Sequence, residues 1–177
     1  MQTASRILMG VLAIALVCAG PAFAKKDKKG KKDWGPQIPP TITADQAKAT
    51  VSAAIPRLSV GQPFTKRGKH GDIKLEVPLM FEGKIVAKVR LNPANGEVLL
   101  KGQKAWAQNL SVTPEQGART VERMVSEFQV GAAWLGKQGE WKVPLLYKGA
   151  VIAEIKVHGQ SGSILPDWKA SRDASIP

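Results

Sequence analysis

Cysteine is almost missing from this chain of 177 residues: Cys18 is the only one. Histidine occurs twice, at His70 and His158, and acidic residues number 14 against 26 lysines and arginines, a net charge of +12. These shortages exclude function classes. One thiol forms no intramolecular disulfide. A zinc site draws on several Cys, His or carboxylate ligands at short spacing, and two isolated histidines with no His-x-x-x-His do not supply one. Nucleophilic catalysis needs Ser or Cys with a base in reach, usually His. His158-Gly159-Gln160-Ser161-Gly162 has a faint likeness to a nucleophile elbow, but a real one is G-x-S-x-G between strand and helix. Here the run falls where an internal repeat places a plain turn. The expectation is therefore a protein that is not an enzyme, with no cofactor, no metal and no catalytic residue.

The N-terminus has the form of a signal peptide. Arg6 is its positive end, and residues 7–17 contain only Ile, Leu, Met, Val, Ala and Gly. Ala22-x-Ala24 places small residues where a signal peptidase needs them, so cleavage is expected after Ala24. The apolar run is short for a bilayer span. Ala15 and Val17 fit poorly the positions that lipidation of Cys18 would need. Cleavage leaves a mature chain with no cysteine, periplasmic or secreted, whose folded units rest on apolar cores alone.

Residues 25–32 read KKDKKGKK. Lys25, Lys26, Lys28, Lys29, Lys31 and Lys32 crowd into eight positions with no apolar residue between them, which predicts a disordered arm. Trp34 and a proline-rich linker complete residues 25–40. Beyond them the main signal is an internal repeat. Ile42-Thr43-Ala44-Asp45-Gln46-Ala47 recurs as Val112-Thr113-Pro114-Glu115-Gln116-Gly117, seventy positions on. Val77-Pro78-Leu79-Met80-Phe81 recurs as Val143-Pro144-Leu145-Leu146-Tyr147, now at an offset of 66. The second copy has thus lost four residues between Gln62 and Glu76.

Each copy opens with a capping box, Thr43-x-x-Gln46 or Thr113-x-x-Gln116. Ala47, Val51, Ala54, Ile55 and Leu58 share one helical face; so do Ala118, Val121, Met124, Val125 and Phe128. Strands follow, with alternation at Ile73, Leu75, Val77, Leu79 and Phe81 and at Val151, Ala153, Ile155 and Val157. Glu82-Gly83 and Lys148-Gly149 are hairpin turns. Pro78 and Pro144 predict an edge strand or a bulge. The expected fold is α+β: two tandem repeats, residues 41–101 and 110–166, each an N-terminal helix packed on a three- to four-stranded antiparallel sheet. Residues 102–109 connect the two, and 167–177 form a C-terminal tail.

This pattern resembles the PepSY domain, a capped helix followed by a meander that closes on N/D-x-x-x-G-E-V-L. Asn92-Pro93-Ala94-Asn95-Gly96-Glu97-Val98-Leu99 carries that ending. His158-Gly159-Gln160-Ser161-Gly162-Ser163-Ile164-Leu165 carries it with departures at His158 and Ser163. PepSY units occur in pro-regions of secreted metallopeptidases and in bacterial envelope proteins, and the family is proposed to inhibit or chaperone peptidases. The resemblance implies a binding module whose partner is a peptidase or another envelope protein, and it brings no catalytic residues.

Charge offers the other lead. Lys66, Arg67, Lys69 and His70 cluster where the second copy is shorter, and with the lysine arm they would attract anionic glycans, lipid head groups or acidic proteins. Export argues against nucleic acid. The alternative function is an envelope-associated structural protein held to an anionic polymer or lipid by the arm. Among the tryptophans, Trp134 and Trp141 are expected in core or hairpin packing, and Trp106 in the joint between copies. Trp34 and Trp168 either contact a partner or fold back and bury themselves.

Overall fold

The structure, a computed structural model, describes residues 39–175. The expected signal peptide, Lys25, Lys26, Lys28, Lys29, Lys31, Lys32 and Trp34 lie outside the described residues. No helix among the described residues is long and apolar enough to cross a membrane.

The protein is α+β, with three α-helices and two curled antiparallel sheets among the described residues. Helix α1 (Ala44–Ala54) is followed by strands β1 (Ser59–Val60), β2 (Phe64–Arg67), β3 (Ile73–Phe81), β4 (Lys84–Leu91) and β5 (Val98–Leu99). Helix α2 (Pro114–Val125) precedes β6 (Gln129–Val130), β7 (Trp134–Leu135), β8 (Trp141–Tyr147), β9 (Ala150–Val157) and β10 (Ile164–Leu165). Helix α3 (Trp168–Ala174) is the last element among the described residues, where the sequence suggests only a tail. Both capping boxes form: the hydroxyls of Thr43 and Thr113 accept from the N–H of Gln46 and Gln116, each at 3.2 Å. The glutamine side chains accept in return at 2.8 and 2.9 Å. Pro56, which lacks the N–H to continue α1, sits in a 3₁₀ turn over Ile55–Arg57.

Each sheet has five strands, more than the three or four expected from alternation. The surplus consists of pieces of two to four residues, too short to show a period. In the first sheet β1 and β2 both pair with the same side of β3, one after the other, and β4 and β5 follow on the other side. The second sheet repeats this with β6 and β7 beside β8, then β9 and β10. This arrangement explains the prolines. Pro78 lies in a central strand, not at an edge, at the gap between β1 and β2, and its carbonyl accepts from Gly61 N–H at 2.9 Å. Its missing N–H faces the gap, where no ladder bond is required. Pro144 and Gly131 do the same at 3.0 Å. A bulge follows each proline, after Leu79 and Leu145. The two-residue turns have positive φ at both positions, Glu82 and Gly83, Lys148 and Gly149, as a type I′ hairpin requires.

The helices are exchanged. Helix α1 packs against β6, β8 and β9 of the second sheet, and α2 against β1 and β3 of the first. The sequence reading put each helix on its own sheet. An apolar stripe says that a face is buried but not which sheet buries it, and the two sheets present similar faces. The segments entering the helices decide the matter. Thr41 and Ile42 donate to the carbonyl of Gly159 at 2.8 and 3.0 Å, and Ser111 and Val112 to that of Pro93 at 2.9 and 3.2 Å. Each helix thus starts from a turn of the other half. The exits are tied the same way: Lys101 N–H reaches Val151 O and Asp167 N–H reaches Ile85 O, both at 2.7 Å.

Val51, Leu75, Val77, Leu79, Val121, Val143, Leu145 and Ile155 are fully buried in one continuous core that draws on both sheets. Each such side chain contributes about 1.5–3 kcal/mol. Gly117, not Ala118, is the buried residue at the first turn of α2's core face. A Cβ on Gly117 would stand 3.0 Å from Leu91 Cδ1 and 3.3 Å from Leu75 Cδ2, so glycine lets α2 approach the first sheet closely.

Candidate functional site

The basic cluster expected around Lys66 does not form as one surface. Alternation along β2 turns Lys66 to the outer face of the first sheet, beneath α3. There it donates to Asp173 at 2.6 Å and stands 3.9 Å from Glu76. Lys88 bonds Glu76 at 2.5 Å and lies 3.7 Å from Asp173. Glu76 is 3% exposed, so these four charges form a mostly buried, internally neutralised group, and Lys66 is withdrawn from the polyanion candidates. The Lys66 hydrogen bond, helped by the positive charges of Lys66, Lys88 and Arg172, holds the Asp173 carboxyl below the usual range against the opposing effect of burial. Arg67, Lys69 and His70 remain exposed at the hairpin tip.

Trp106 also departs from expectation. It is 67% exposed instead of filling a joint, because Ala107 is held at the sheet margin by the N–H of Ile73 (2.7 Å) and leaves the indole outside. Trp168 is 77% exposed. Trp141 is half-buried and donates from Nε1 to Ile42 O at 2.9 Å, which ties the entry of α1 to β8. Trp134 is 42% exposed, since β7 lies at the margin of the second sheet and no helix among the described residues covers it as α3 covers β2. His158 takes the place of Asn92 in its turn: its Nδ1 accepts from the N–H of Gln160 and Ser161 at 3.3 and 3.2 Å. Asn92 Oδ1 accepts from Ala94 N–H at 3.0 Å. Ser161 Oγ is engaged by Ser163 Oγ at 2.8 Å. Among the described residues no three His, Cys, Asp or Glu converge as metal ligands.

Two grooves stand out, and the sequence reading identified neither. The first, about 620 Å³, runs between α1, the β3–β4 turn and β10. The second, about 690 Å³, runs between α2, the β8–β9 turn and β5. They correspond position by position. Thr50, Ala53, Ala54 and Arg57 in one answer Thr120, Arg123, Met124 and Glu127 in the other, at the offset of 70. Phe81, Glu82, Lys84 and Val86 answer Tyr147, Lys148, Ala150 and Ile152 at the offset of 66. Both volumes fall in the range of ligand sites. The offsets themselves were the signal: aligning the copies pairs helix ends with hairpin turns, although helix exchange had to be seen before β5 and β10 could be placed beside them.

Each groove has a strand edge in its wall. Asn92 N–H donates to Glu97 O at 2.8 Å, and Leu91 pairs with Val98 in the same register. Antiparallel ladders alternate, so Val98 belongs to a non-hydrogen-bonded pair and turns its N–H and C=O away from β4. His158 N–H, Ser163 O and the Val157–Ile164 pair place Ile164 likewise.

The grooves differ in charge. Arg57 spans the first, bonding Glu82 at 2.8 Å and lying 4.8 Å over the Phe81 ring. In the second the signs are reversed, with Glu127 and Lys148 in those places. They make no ion pair with each other among the described residues; Lys148 lies 5.1 Å over the Tyr147 ring. The first groove is bridged at its rim and the second is open. No family model matches the chain, and no curated protein or solved structure is significantly similar to it.

Proposed function

We propose that the protein is an exported, non-catalytic binding module, built from two PepSY-like copies with exchanged helices, that takes an extended segment of an envelope protein into its second groove. A peptidase is the partner that the PepSY resemblance suggests. The observation that carries this reading is the combination in that one groove. It has an apolar floor of Val98, Met124 and Ile152, a strand edge with outward N–H and C=O at Val98, and opposite charges at the rim. Strand addition uses these parts: main-chain hydrogen bonds hold an incoming segment, and side pockets select it.

The test is capture from envelope extract by the chain beginning at Lys25, beside two variants. Val98→Pro deletes the outward N–H while remaining compatible with an edge strand. Ala150→Arg puts a long side chain into the groove from its half-buried wall, outside the core. Both should abolish retention of a discrete protein at high salt, whereas Ile164→Pro in the bridged groove should leave it intact. Retention by both second-groove variants sinks the reading.

A further inference from the structure

The hairpin that distinguishes the two halves carries a second surface, independent of the grooves. Strand β2 has four residues where β7 has two, so the β2–β3 tip extends farther than its counterpart. Arg67, Lys69 and His70 are exposed there. The Ile73–Ala107 bridge fastens the connection between the halves beside this tip. Trp106 then lies 6.1 Å from the His70 ring, and the Lys104 ammonium stands 6.0 Å over the indole. Asp72, the acidic residue of the tip, is withdrawn: its side chain is 12% exposed and 3.6 Å from Lys74 Nζ. The exposed charge at this end is therefore of one sign, and Lys104 and the His70 ring stand beside a large apolar ring that is 67% exposed.

Shape selects the kind of partner. The cavity beside this region, between Ile73, Arg90 and Ala105, holds about 20 Å³, room for one water and not for a sugar ring or a peptide side chain. A protruding tip whose neighbouring cavity holds no more than a water suits a flat partner. Tryptophan settles at the level of lipid head groups, where its ring is in apolar surroundings and its N–H remains wet. Lysine and arginine beside it gain from the negative potential of anionic lipids.

We propose that Trp106 with Arg67, Lys69 and Lys104 forms a docking surface for an anionic lipid bilayer, with the indole entering the interface and the cations lying on the head groups. This contact orients the folded part on the membrane, which charge attraction through the lysines of residues 25–32 alone would not do.

The test uses the chain beginning at Lys25 on vesicles of phosphatidylglycerol and phosphatidylcholine, with bromine-labelled phosphatidylcholine as a contact quencher. The arm is present in every sample, so its attraction is constant. Tryptophan emission should be quenched on mixed vesicles and not on phosphatidylcholine alone. Trp106→Phe should remove most of that quenching while the protein still sediments with the vesicles. Lys69→Ala with Lys104→Ala should weaken sedimentation by about 25-fold at low salt, about fivefold for each cation. All three side chains lie at the surface, and matching melting curves would confirm that the variants fold. Undiminished quenching in Trp106→Phe overturns the proposal, since another indole would then be the one in contact. So does an absence of vesicle binding with a Trp106 emission shift on adding a soluble acidic polysaccharide, which would make the surface a glycan site.

Discussion

Asp173 shows how a residue's role follows from what it touches. Its carboxylate joins α3 to two lysines on the outer face of the first sheet, and the hydrogen bond from Lys66 keeps it ionised below the usual carboxylate range. A depressed folded-state pKa gives stability that is fully present above the unfolded value, about 3.9. That stability is lost as pH falls through the folded value. Asp173→Asn should therefore melt below the wild type at pH 6, and the gap should narrow as pH drops under 4. A constant gap from pH 6 to pH 2.5 would show that the charge is not what matters. The sequence contained Lys66 and Asp173 but not their meeting, which spans 107 positions and depends on a short helix with one buried residue, Ala170. That is why Lys66 read as part of a basic patch. Arg67 and Lys69 kept their exposure because β2 alternates and the tip lies beyond α3.

At the scale of elements, the local signals were legible and the pairings between elements less so. Capping boxes, both I′ turns and the long alternating strands are short-range physics, and they form as read. The place of each helix is long-range, and Gly117 is where it can be probed. Gly117→Val would drive branched methyls into Leu91 and Leu75 of the first sheet, so overpacking should cost about 2 kcal/mol. The location of the damage distinguishes the two arrangements. With α2 on the first sheet, hydrogen exchange should quicken in β3 and β4 and leave β8 and β9 protected. Loosening confined to β8 and β9 would place α2 on its own half's sheet and contradict the exchange. The grooves follow from the same fact. Val98 and Ile164 read as ordinary strand residues in sequence, and only exchange sets β5 beside α2 and β10 beside α1.

For the whole molecule, exchange implies that neither half is a complete folding unit. Residues 39–107 alone would expose the face of β3 that α2 covers, together with a helix whose apolar stripe belongs on β8. Residues 108–175 would have the complementary defect. The entry and exit bonds to Gly159, Pro93, Val151 and Ile85 also cross between halves, so separation breaks them all. A half of about 70 residues is already marginal by surface-to-volume scaling. Expressed separately, each half should be unfolded or self-associated. The second outcome has a specific form, because α1 and α2 are equivalents and two copies of one half could exchange helices with each other. Expressed together, the halves should co-purify in equal amounts and recover the circular dichroism and melting transition of the intact chain. Dilution should then lower that transition, since folding has become bimolecular. Either half folding as a stable monomer, with its helix on its own sheet, would refute the interlocked architecture. The proposed peptide groove, which needs β5 held against the second half, would fall with it.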